Sequence, residues 1–159
     1  MKKTIILLII MVVPLILNGA RGRNLYYYSQ EGNIKGIKAE LQRGININVR
    51  DKQGLTALLM AMMYNRYEAM KLLISKGADV NALGLYNEPF IHMVTRYMRC
   101  RAFNKNYKEY REYLIKFKIL YGAGANIHVK YNGFSAYELI RKWPDENTKY
   151  ELLKIIEAR

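Results

Sequence analysis

Several residue types are scarce in this 159-residue chain. It has one cysteine, two histidines, three prolines and one tryptophan. A single thiol, Cys100, cannot close an internal disulfide, so the fold is not a disulfide scaffold. Its helical surroundings read as those of a partly buried structural cysteine. It completes no metal-ligand cluster, and His92 and His128 sit at opposite ends of a unit interrupted by an insertion. Acidic residues are also few, 13 against 26 Lys and Arg, for a formal net charge of +13. That excess says nothing about fold, but it points to acidic proteins, anionic membrane surfaces or nucleic acid as partners. No glycine loop that cradles phosphate, no paired-His motif and no nucleophile elbow occurs. Glu109 and Glu112 lie one helical turn apart, but Lys108 and Arg111 stand among them. They read as an ion-paired solvated face. With no nucleophile, base and oxyanion donor together, the chain reads as non-enzymatic, with no cofactor, metal or small-molecule substrate.

Apolar residues are plentiful. At 51% hydrophobic and 25% charged, the composition allows an ordinary buried core. The first stretch has a different character. Met1-Lys2-Lys3 is basic, Ile5 to Leu17 is uncharged and apolar, and Asn18-Gly19-Ala20 is small or polar before Arg21. That order predicts a signal peptide over residues 1–22 and an exported chain, periplasmic or secreted. The alternative is an uncleaved segment that anchors the chain to a membrane. Residues 23–159 then form the remaining domain.

That domain repeats itself. Gly44-Ile45-Asn46-Ile47-Asn48, Gly77-Ala78-Asp79-Val80-Asn81 and Gly124-Ala125-Asn126-Ile127-His128 share one pattern. The first two glycines are 33 positions apart and the next two 47, so 14 residues are inserted. Leu58, Ala61 and Met62 share one helical face, as do Met70, Leu73 and Ile74. Each glycine stands where a left-handed cap ends a helix pair. Thr56 and Ser135 stand where a hydroxyl starts one.

The stretch Gly54-Leu55-Thr56-Ala57-Leu58-Leu59-Met60-Ala61, continued by Ala69 to Ala82, resembles the ankyrin repeat residue by residue. Leu25 to Asn48 resembles an opening repeat, with Gly32-Asn33 at the turn between its helices. Glu88-Pro89-Phe90 and Gly133 to Leu139 resemble two further repeat openings. The chain is thus similar to small, exported ankyrin-repeat proteins of bacterial type. The resemblance implies an all-α ankyrin-repeat solenoid of about four stacked helix-turn-helix units with hairpin loops, one unit carrying an insertion. It departs from the family at Leu59, which replaces a histidine that bonds Thr56. It departs again at His92, one place late for that histidine, and at His128, which replaces an asparagine that ties the hairpin.

The resemblance also implies a function, binding a protein partner through hairpin tips and the exposed face of each first helix. Carried over position by position, the contact residues are Lys52, Gln53, Leu55, Met63 and Tyr64. In the next unit they are Leu85, Asn87, Thr95 and Arg96, and in the last Tyr131, Asn132 and Phe134. The inserted residues lie between Thr95 and Tyr113. Tyr107, Tyr110, Leu114, Phe117 and Tyr121 read there as the buried stripe of a lengthened helix. The cations of residues 96–111 read as a solvated face, or as a patch for an anionic membrane surface or nucleic acid.

Overall fold

A computed structural model of the chain describes residues 24–158, with the side chain of Leu85 left aside. The stretch read as a targeting segment lies outside the described residues. Four helix pairs follow one another. Residues 24–31 form α1, followed by α2 (Ile34–Gln42), α3 (Ala57–Met63) and α4 (Tyr67–Ser75). Then come α5 (Phe90–Phe103), α6 (Tyr107–Gly122), α7 (Ala136–Arg141) and α8 (Glu146–Glu157). Two short strands, β1 (Lys130–Tyr131) and β2 (Phe134–Ser135), pair antiparallel between α6 and α7. The residues fall into two compact units that divide after Ala78. The all-α repeat reading therefore holds.

The local signals act where their chemistry places them. Thr56 Oγ1 accepts the amide of Leu59 at 3.2 Å. The cap thus survives the loss of histidine at position 59, and Leu59 is buried instead. At Ser135 the cap is reciprocal: its Oγ accepts the Glu138 amide at 3.1 Å, and the Glu138 carboxylate accepts the Ser135 amide at 2.8 Å. Gly44, Gly77 and Gly124 all take positive φ, at 78°, 91° and 100°. A side chain there would strain the backbone. Two residues later Asn46, Asp79 and Asn126 each accept the amide two positions on, at 2.9 Å in all three. In the second unit Asn81 Oδ1 accepts the amide of Asn126 at 2.7 Å, which ties one loop to the next. His128, at the equivalent place, tilts its ring against Tyr137 at 5.0 Å.

The first unit closes over Leu25, Ile37, Leu58, Met62, Met70 and Leu73. The second closes over Phe90, Val94, Met98, Phe117, Leu120, Ile140 and Leu152. The insertion divides evenly. Helix α5 has 14 residues against 7 in α3, and α6 has 16 against 9 in α4. Seven residues are about 20° short of two full turns, so the buried face of each helix keeps its direction. At 1.5 Å per residue the pair is about 10 Å longer than its counterpart.

Two expectations about this pair need correction. Tyr107 is not part of the buried stripe: it is 61% exposed, and Tyr110, Leu114 and Tyr121 are only half-buried. The stripe is carried by Phe117 and Leu120. Cys100 is exposed and not partly buried. Lys116, on the same helix as Tyr107, is buried with its ammonium 4.2 Å above the Tyr113 ring. Burial pushes that amine below its usual range.

Candidate partner-docking site

His92 and Arg96 stand one turn apart on the same side of α5, and Glu88, two residues before the helix begins, meets them there. The His92 ring nitrogen Nδ1 lies 2.7 Å from Glu88 Oε1. Arg96 donates to the same carboxylate twice, from Nε at 2.9 Å and Nη2 at 2.8 Å. The carboxylate is buried, which alone would push its pKa up, but the hydrogen bonds from Arg96 and His92 outweigh burial and hold it below the ordinary range. The Arg96 guanidinium is raised in turn, chiefly by its bond to Glu88. An ionised carboxylate only accepts, so His92 Nδ1 carries the proton. His92 Nε2, the other ring nitrogen, is buried with no hydrogen-bond partner among the described residues.

These residues line a cleft of about 400 Å³ in the second unit. Its other walls are Tyr86, Tyr131, Asn132, Phe134 and Leu139. Asn132 and Gly133 form the two-residue turn between β1 and β2, both at positive φ. The turn stands Tyr131 with its ring 5.3 Å from that of His92 and its hydroxyl 3.2 Å from the Tyr86 carbonyl. Lys142 reaches over the Phe134 ring at 4.8 Å. Tyr86 itself is 88% exposed and held at φ 59°, a conformation rare for a side chain of its size. The cleft is therefore aromatic-walled, with an unpartnered buried ring nitrogen among its lining residues and a cation at its edge.

Of the contact residues carried over from the resemblance, Arg96, Tyr131, Asn132 and Phe134 meet in this cleft. Asn87 is exposed beside it. Lys52, Gln53, Met63 and Tyr64 are exposed in the first unit, and Leu55 is half-buried there. Thr95 is a correction. It is fully buried, and its hydroxyl donates to the Ile91 carbonyl at 2.8 Å, so it faces the core and not the surface. Glu88 and His92 also line the cleft but were not among the contact residues read from the sequence. Their four-residue spacing was visible in the sequence, but an acid, an imidazole and a guanidinium at that spacing are equally ordinary on a solvated face. Among the described residues no three His, Cys, Asp or Glu side chains group as a metal site would need.

Comparison with known proteins agrees with the helix pairs. The family model for ankyrin repeats (three copies) matches residues 8–85. The ankyrin repeat protein YahD of Escherichia coli strain K12 is 42% identical over 53 residues, 33% of this chain and 26% of that protein. An ankyrin repeat protein of fowlpox virus is 35% identical over 72 residues, 45% of this chain and 17% of its own length. A potassium channel of Arabidopsis thaliana is 35% identical over 60 residues, 38% of this chain and 8% of the channel. The chain thus spans about a quarter or less of each of these relatives. With its three repeated glycine turns, its capped helix pairs and these likenesses, the chain carries ankyrin repeats.

Proposed function

We propose that this chain is an exported, non-enzymatic interaction module that seats a side chain of a protein partner in the cleft of its second unit. Ankyrin repeats generally act as protein–protein interaction modules, which supports the class of function. The observation that carries the location is the stranded His92 Nε2 among aromatic walls. A buried polar atom without a partner costs about 1–3 kcal/mol. A partner group that hydrogen-bonded it would recover part of that. The best occupant is a planar, largely apolar side chain with a polar tip, such as tyrosine, a type enriched at binding hot spots.

The test compares two double variants against a captured partner. Tyr86→Ala with Phe134→Ala removes two exposed walls and is expected to weaken binding at least about tenfold. Lys52→Ala with Tyr64→Ala, in the first unit, is expected to weaken it less. Circular dichroism should be unchanged in both. Full affinity in the cleft variant would move the site elsewhere.

Export rests on the charged, apolar, small-residue order of the first 22 positions. N-terminal sequencing of the chain recovered outside the producing cytoplasm is expected to begin at Arg21 or Arg23. Recovery of an intact Met1 would refute cleavage.

A further inference from the structure

We propose that the turn joining α5 and α6 is an interfacial anchor for anionic membranes. It is a second surface, independent of the cleft. Phe103 ends α5 and Tyr107 begins α6, and they are 80% and 61% exposed. Leaving two such rings in water is unfavourable unless something covers them. The three residues between them form a tight turn. Lys105 takes φ 55°, its amide bonds the Ala102 carbonyl at 3.0 Å, and the Asn106 amide bonds that of Arg101 at 2.9 Å. The Asn106 side chain caps α6 at the Glu109 amide, 3.3 Å away. The rings are thus presented by a hydrogen-bonded turn.

Charge decides what covers them. Residues 96–111 hold six Lys and Arg and a single acid, Glu109. That acid is already engaged, by Arg101 at 2.6 Å and by the Asn106 amide group at 3.0 Å. Lys105, Lys108 and Arg111 are left exposed around the rings as a positive surplus. Aromatic rings ringed by cations match the headgroup layer of an anionic bilayer, where rings sit at the interface and cations meet phosphates. The seven-residue extension of each helix carries this turn about 10 Å further from the glycine loop than an ordinary pair would. Among the described residues no helix is long and apolar enough to cross a membrane, so the contact is interfacial. Single-stranded nucleic acid fits less well. It needs a groove with rings stacked in succession, whereas these two rings flank one turn at the end of a helix pair.

Cys100, the only cysteine and exposed, lies one helical turn before Phe103 and can carry a probe. The full chain labelled there with a polarity-sensitive fluorophore is mixed with phosphatidylcholine vesicles, with and without phosphatidylglycerol. A blue-shifted emission is expected with the anionic vesicles only. Lys105→Gln and Lys108→Gln are each expected to weaken this binding about fivefold. Phe103→Ser with Tyr107→Ser should abolish the shift with the helical spectrum unchanged. Vesicle binding without any change at Cys100, or a serine variant that binds like wild type, would overturn the proposal. So would a single-stranded oligonucleotide that displaces the chain from vesicles and depends on the same two rings.

Discussion

Leu73→Asp is expected to abolish cooperative folding of the first unit. Leu73 is completely buried on α4, on the same face as Met70. Truncating a buried leucine alone costs about 2–5 kcal/mol. An aspartate adds an unpaired carboxylate in an apolar site, at several kcal/mol more unless it takes up a proton. A domain has only about 5–15 kcal/mol in total. Thermal melting followed by circular dichroism should lose the transition contributed by this unit. Lys71→Ala serves as the control. Lys71 is exposed and pairs with exposed Glu68 at 2.8 Å, so its removal should cost no more than about 1 kcal/mol. A normal melt for Leu73→Asp would show that α4 buries another face.

Glu88→Ala is expected to destabilise the second unit by about 2–3 kcal/mol, chiefly because it strands a buried His92 donor. Arg96 adds less, since its guanidinium is half-exposed and can turn to water. The same carboxylate makes a prediction about pH. Its folded pKa lies below the unfolded value, about 4.3 for glutamate. Its contribution is therefore fully present above about pH 5 and is lost as pH falls through the folded pKa. Urea unfolding at neutral and acid pH should show wild type losing more stability on acidification than Glu88→Gln. An equal loss in both would mean that Glu88 is not held ionised.

The two predictions draw on different levels of information. Leu73 follows from the sequence, because its i, i+3, i+4 neighbours and the glycine four positions on define both the helix and its apolar face. The caps at Thr56 and Ser135, and the left-handed glycines at 44, 77 and 124, were legible in the same way. Each is a preference of a few adjacent residues, and the three glycine turns repeat it along the chain.

The cleft was legible only in part. Arg96, Tyr131, Asn132 and Phe134 were reached through the resemblance, but it could not say that they meet. That depends on a two-residue turn and on residues some 35 positions away in the chain. Thr95 and Arg96 are neighbours in sequence, yet the tertiary structure buries one completely and leaves the other at the surface. Tyr107 continues the periodicity of α6 but lies beyond the reach of anything that could cover it. Periodicity determines which side chains share a face. Whether that face is covered at a given height depends on how far the neighbouring helices extend, and that was decided by tertiary packing alone.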